Sequence, residues 1–292
     1  MIQHTELPKT ERAKSRNTPL RIAGRFFSNM IMVMYSITCI YPIIWIISSS
    51  VKTFKEFETN VVGFPKNFEI GNYIHVLTTG RIGMYMLNTI RNTIVSLTFV
   101  IFFAFINGYF ISRFKFPGRK GLYMLYMLGM LVPIHALLIP LYILFSRTGL
   151  TNQWFTVALP NIAFSMPVSL FLVESYIGTV PRELEEAAFI DGSGFSRTLF
   201  TIIFPLVTPI LVTVGIITFF TFWNEFSFSL VLLKSQRLFS LPLGLTLFKG
   251  VYETDYPKMM TTMVIALLPA IAIYVAFAKK IIQGMMAGAI KG

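Results

Sequence analysis

Glu183, Glu185, Glu186 and Asp191 stand within one short polar stretch, with Arg182 beside them and Arg197 just beyond. Carboxylates gathered at a membrane interface are what an integral-membrane enzyme would need for acid–base work. Nothing completes such a set. There is no G-x-x-x-x-G-K-[ST] loop to cradle a nucleotide and no G-x-S-x-G nucleophile elbow. No carboxylate pair lies on a membrane face, so no catalytic residue is assigned. His4, His75 and His135 are far apart, Cys39 is the sole cysteine, and nothing argues for a metal. One further carboxylate, Glu225, sits beside Asn224 inside an apolar run, where an ionisable group marks a functional candidate.

The elements that must position these groups are membrane helices. Of 292 residues, 54% are hydrophobic and only 13% charged, against roughly a quarter charged in soluble domains. The mean hydropathy is +0.67. A net charge of +12 would suit nucleic-acid binding in a soluble chain. Here the basic residues flank apolar runs and form no stripe on a polar face, so nucleic acid is not expected as a partner. Six apolar segments reach spanning length: 26–49, 86–111, 122–145, 155–177, 206–232 and 260–281. This predicts an all-α polytopic membrane protein, embedded in lipid. The first segment is too long for a signal-peptide core and lacks a cleavage pattern.

Basic residues orient the chain. With the N-terminus inside, inner segments hold fifteen Lys or Arg and outer segments nine. The outer segments 50–85 and 233–259 are long enough for short helices and for docking a partner. Prolines fall in many spans, at 42, 133, 140, 160, 167, 209 and 269, and each removes a backbone donor. Arg91 is read as an anchor near the outer interface, and Asn107 and Asn161 as hydrogen-bonding groups between helices.

The polar stretch, residues 178–205, falls between spans four and five on the inner side. Pro181 suits the start of a helix, and Glu183, Glu185 and Glu186 suit its first turns. Leu184, Ala187 and Ala188 share a face, Gly192 can end the helix in a left-handed conformation, and Ser193 or Ser196 can cap a second helix running to about Phe204. A small alanine face beside acidic residues suits a groove on another protein. The other reading is a helix lying on lipid.

Glu186-Ala187-Ala188, three residues, Gly192, nine residues, Ile202, one residue, Phe204-Pro205 resembles the cytoplasmic signature of ABC importer permeases, E-A-A-x3-G-x9-I-x-L-P. The spacing is complete, and Phe204 replaces the usual leucine. RFKFPGRKGL after span two, FWNEF in span five and the terminal GMMAGAIKG resemble the carbohydrate branch, in particular the shorter, six-span permease of maltose-type transporters. The resemblance implies a type I ABC importer permease fold in a bacterial cytoplasmic membrane, with both termini cytoplasmic. It implies a cytoplasmic segment 1–25 and a permease 26–292, with a core at about 82–282. The loop 178–205 becomes a coupling helix, with Glu186, Ala187, Ala188, Gly192, Ile202 and Pro205 as the contact set. Implied partners are a second permease, two ATPase subunits and an external sugar-binding protein. ATP and magnesium would sit on the ATPases, and this chain would bind no cofactor.

Trp223, Asn224, Glu225 and Phe226 are candidates for the pathway of an oligosaccharide, because Phe220, Trp223 and Phe226 recur every third residue and offer faces to sugar rings. Helix packing, with Glu225 bonded to a partner permease, is the competing role. A secondary transporter would need midplane ionisable sites and repeated halves, and neither is visible. An integral-membrane enzyme would have to rest on the 183–191 cluster alone.

Overall fold

A computed structural model describes residues 19–248 and 254–289, and the long regular elements among them are helices. The N-terminal basic residues before 19 and the last three residues lie outside the described part, as do the side chains of the terminal GMMAGAIKG segment.

The helices run α1 (Pro19–Ser50), α2 (Phe54–Thr59), α3 (Gly71–Thr78), α4 (Ile82–Arg113), α5 (Arg119–Gly129), α6 (Leu138–Arg147), α7 (Ala158–Ile177), α8 (Glu183–Ile190) and α9 (Phe195–Arg197). They continue with α10 (Phe204–Trp223), α11 (Ser227–Leu232), α12 (Leu241–Leu245) and α13 (Tyr256–Ala289). Among the described residues five helical stretches are long and apolar enough to cross a membrane, and six if the bent pair Arg119–Gly129 and Ile134–Arg147 is one span.

That bent pair breaks the third span expected at 122–145. The two pieces meet at 90°. Pro133 has no N–H to continue the ladder, disfavours helical backbone at Val132, and is itself extended (φ −74°, ψ 104°). Of the seven prolines in the expected spans, only Pro42, Pro167, Pro209 and Pro269 lie inside helices. Pro140 and Pro160 sit in first turns, where the missing donor costs nothing.

The fifth span also departs from expectation at both ends. Its helix stops at Trp223 rather than running to 232. The Asn224 side-chain amide donates to the Phe220 carbonyl 2.9 Å away, and Glu225 turns to serve the next helix, α11. At the other end no separate second helix exists. From α9 the chain passes through a π-helical stretch, Thr198–Ile203, directly into α10. The Phe204 N–H reaches back to Leu199 O, a five-residue step. Pro205, lacking an N–H, cannot close the ordinary bond, which favours the wider turn here.

The core lies where α4, α7 and α10 meet. Val100, Phe105 and Tyr109 pack on Val173 and Ile177 and on Ile203 and Val207. Gly108 permits the close approach of α4 to α7: a Cβ there would fall 3.0 Å from Val173 Cγ1 and 3.2 Å from Glu174 N. By contrast, residues 24–44 of α1 are exposed throughout, and only its end near Ser50 is buried, against α13. That end is knotted by backbone carbonyls. Ser50 O accepts from Asn72 Nδ2 (3.0 Å) and Thr261 Oγ1 (2.9 Å), and Lys52 Nζ donates to Asn60 O at 2.7 Å.

Candidate functional site

The polar module sits at the end of the bundle where α4 and α7 finish. Helix α8 closes with a Schellman turn. Ser193 N donates to Ala188 O (2.9 Å), Gly192 N donates to Phe189 O (3.0 Å), and Gly192 has φ +77°. The sequence expectation for Gly192 therefore holds. A Cβ at Gly192 would meet nothing within 4 Å, so the demand for glycine is one of backbone conformation alone. The expected serine cap of the second helix is not found. Gly194 occupies that position with no side-chain bond, and the Ser193 hydroxyl instead accepts from Thr198 Oγ1 (3.1 Å).

Glu185 holds the module to the bundle. Its Oε1 lies 2.6 Å from Arg113 Nε, with both side chains about nine-tenths buried (7% and 11% exposed). Its Oε2 accepts from the Tyr109 hydroxyl at 2.7 Å. Arg113 also donates through Nη2 to Val180 O at 2.7 Å, so one guanidinium ties the end of α4 to both the entry and the first turn of the loop. Phe195 adds an aromatic contact, its ring 6.0 to 6.1 Å from those of Tyr109, Phe110 and Phe114.

This anchoring decides which face of α8 points away. Glu185 and Ala188, three apart, turn inward and are buried. Leu184, Glu186, Ala187, Phe189 and Ile190 are exposed, Ile190 to 86%. The shared face expected for Leu184, Ala187 and Ala188 is thus split. Ala188 packs against its own protein, and the free surface carries large apolar side chains as well as alanine. Ile202 is half-buried in the π-helical stretch and Pro205 is exposed at the start of α10. The other sequence candidates diverge at the opposite end of α10. Trp223 is buried, stacks on Phe219 (5.6 Å) and donates from Nε1 to Ala266 O (3.2 Å). Phe226 lies past the end of the helix, so the every-third-residue stripe stops at Trp223. Asn224 and Phe226 lie toward the surface, Phe226 at 36% exposure. Glu225 caps α11, accepting from the N–H groups of Phe228 and Ser229 and from Ser229 Oγ at 2.8 Å.

Known proteins share both the sequence pattern and the helical bundle. Residues 100–286 match the family described as "Binding-protein-dependent transport system inner membrane component". The chain belongs to this family. It is similar to the trehalose/maltose transport system permease protein of Thermococcus litoralis, at 33% identity over 89% of this chain and 94% of that one. It is similar as well to the multiple sugar-binding transport system permease protein of Streptococcus mutans, at 32% identity over 91% and 97% of the two chains. In fold it resembles a chain from the crystal structure of a bacterial ABC transporter involved in the import of the acidic polysaccharide alginate, with a TM-score of 0.81 at 21% identity, covering 90% of this chain and 98% of that one.

As a member of this transport family the chain is a multi-pass membrane permease. Its departure from the family signature, Phe204, sets its ring edge-on to Phe105 at 5.3 Å, so an apolar packing role is kept by a larger group. Sequence reasoning passed over Glu185 and Arg113. Glu185 is one of three glutamates in a first turn, and nothing local separates the buried one from its neighbours. The available signal was Arg113 at the last turn of a span, where a cation needs a partner. The Arg91 guanidinium, expected at the outer interface, lies 5.3 Å from the Trp154 ring. Asn107 bonds between helices as expected, to the Tyr126 hydroxyl at 3.4 Å.

Proposed function

We propose that this chain is the six-span permease subunit of an ATP-driven importer, forming half of the membrane pathway for a carbohydrate, of oligosaccharide size, handed over by an external binding protein. One observation carries the reading: a polar helix braced from behind by a buried ion pair, with an acidic and apolar surface left open. A helix lying on lipid needs a basic polar face. Glu183 and Glu186 give this one an acidic face, so its open side suits a protein cleft. The occupant of that role is an ATPase subunit, one on each permease, holding the ATP and magnesium. The contact set is Leu184, Glu186, Ala187 and Ile190, with Gly192 closing the turn, Ala188 setting the depth from behind, and Ile202 and Pro205 fixing where span five begins.

The exposed length of α1 is left for lipid and for a second, homologous permease. Both termini face the cytoplasm, so the α8 end is inner and the end with α2, α3 and α12 receives the binding protein. Names of similar proteins support a sugar as cargo: trehalose or maltose, multiple sugars, and the melibiose, raffinose and stachyose import permease of Bacillus subtilis, at 29% identity over 86% of this chain. The test is purification of the tagged chain from its native membrane with identification of every companion by mass spectrometry, followed by ATP-dependent uptake of labelled sugars in liposomes. A second permease, two ATPase copies and sugar uptake are expected. A chain that purifies without an ATPase, or transports on an ion gradient alone, overturns the reading.

A further inference from the structure

None of the residues of α5 is buried. Beside the 90° break the helix still touches α7 closely, since a Cβ on Gly129 would fall 2.8 Å from Pro167 Cγ. At its other end a hollow of about 960 Å³ opens between the helix, the loop before it and the end of α7. Lys115, Arg119, Lys120 and Tyr123 line this hollow, and Glu174 of α7 is the one carboxylate in its wall. Phe116, Met124 and Met127 supply apolar surface between them.

Membrane proteins carry Lys and Arg at their inner ends for orientation alone, and scattered cations would need no further account. These three converge on one space. Their neighbour Arg113 commits its charge to Glu185 and to Val180 O. Lys115, Arg119 and Lys120 form no ion pair among the described residues, and their side chains and the Tyr123 hydroxyl make no hydrogen bond there. Three cations against one carboxylate leave the hollow positive. Its apolar side continues along α5 toward the break, where Met124, Leu125, Leu128 and Leu131 are all exposed. The occupant is therefore anionic at one end and apolar along its length. A free phosphate has no use for the apolar run, and a protein carboxylate brings no chain to cover it. An anionic phospholipid has both parts in this order, and basic pockets between membrane helices suit phosphate headgroups.

We infer that this hollow holds the phosphodiester headgroup of an anionic phospholipid such as phosphatidylglycerol. The Arg119 guanidinium offers a planar fork to phosphate oxygens, Lys115 and Lys120 add charge, and the Tyr123 hydroxyl can donate. An acyl chain then follows Met124, Leu125 and Leu128 along the helix. The lipid props the inner half of the broken third span against α7, in place of the side-chain burial that α5 lacks. The inference goes beyond the transport reading and does not depend on the cargo.

The test uses the intact assembly purified in detergent, titrated with phosphatidylglycerol or with phosphatidylcholine of the same acyl chains and read by native mass spectrometry. Phosphatidylglycerol should bind about 25-fold tighter, at about fivefold for each net charge. Lys115→Gln combined with Arg119→Gln and Lys120→Gln should remove that preference. Glu174→Gln should raise the affinity for phosphatidylglycerol about fivefold. It keeps every cation that orients the chain, and so serves if the triple variant does not insert. Inorganic phosphate should not displace the lipid. Equal binding of the two lipids, or a preference that neither variant moves, overturns the inference. Displacement by inorganic phosphate does so too, because the site would then take a free anion. So does crosslinking of Phe116→Cys, in a Cys39→Ser background, to an ATPase subunit, because the hollow would then be a protein interface.

Discussion

Replacing Glu185 by alanine isolates the brace behind the polar module. The substitution leaves the Arg113 guanidinium and the Tyr109 hydroxyl buried without the carboxylate that served both at 2.6 and 2.7 Å. Breaking a buried ion pair from one side costs about 3–5 kcal/mol. Arg113 keeps its bond to Val180 O, which places the loss at the lower end, about 3 kcal/mol. At about 1.4 kcal/mol per factor of ten, that is about a 100-fold shift toward a detached loop. Amide exchange of Gly192 and Ser193, whose N–H groups are bonded inside the Schellman turn, reads the shift directly. Their exchange should quicken by up to that factor while amides of α7 and α10 stay as they were. Glu185→Gln, which keeps the shape and the bond to Tyr109, should lose less, about 1.5–3 kcal/mol. Combining Arg113→Glu with Glu185→Arg should recover part of the protection. In the assembled transporter the alanine variant should still bind the ATPase but transport less per ATP hydrolysed. Wild-type exchange at 192 and 193 in Glu185→Ala would refute the reasoning, since the ion pair would then carry no share of the attachment.

Three other outcomes follow from the geometry. Gly192→Val, at φ +77° with open space around it, should cost about 1–2 kcal/mol of backbone strain, and Gly192→Asn less; copurified ATPase and uptake should fall in the same order. In a Cys39→Ser background, cysteines at Gly118 and Ser193 should label only from the cytoplasm and one at Phe68, 73% exposed, only from outside; labelling of position 193 from outside would sink the orientation. Trp223→Ala should destabilise the bundle by about 3–5 kcal/mol and Glu225→Ala by about 0.5–2 kcal/mol through its cap, whereas Phe226→Ala should leave the melting temperature in detergent nearly unchanged; equal melting temperatures for all three would contradict their placements.

Where sequence and structure agree, the signal was either long or steric. The spans were legible because hydrophobicity sustained over some twenty residues matches the thickness of a bilayer and little else. Gly192 was legible because a helix that opens on acidic residues and runs into D-G-S-G has an obvious place to end. The failures have a common origin in pairing across the fold. Counting every third residue put Phe220, Trp223 and Phe226 on one stripe, but Asn224 and Glu225 satisfy their own side chains by ending the helix between them. The face of α8 could not be set from its own residues, because Arg113, a distant residue in sequence, selects Glu185 from three glutamates. The third span read as one apolar run, since Pro133 in such a run is compatible with either a kink or a right-angle break. Asn161 was expected to bond between helices, but its Nδ2 has no partner among the described residues, and a missing partner is visible only once its neighbours are in place.

The unbroken passage from α9 into α10 has a mechanical side. Phe195–Trp223 is 29 residues of continuous helix, a crank about 44 Å long at about 1.5 Å per residue. Tilting its inner end by about ten degrees swings the far end by about 8 Å, on the same helical rise. The far end is where Trp223 is fastened to α13 through Ala266 O, so any such stroke is delivered to the last span rather than lost in a loop. At the inner end lie the six residues Thr198–Ile203, whose ladder is one residue wider than its neighbours. Any give in those six residues would lie in series with the arm, and elements in series carry the same force, so it would shorten the stroke without weakening the push.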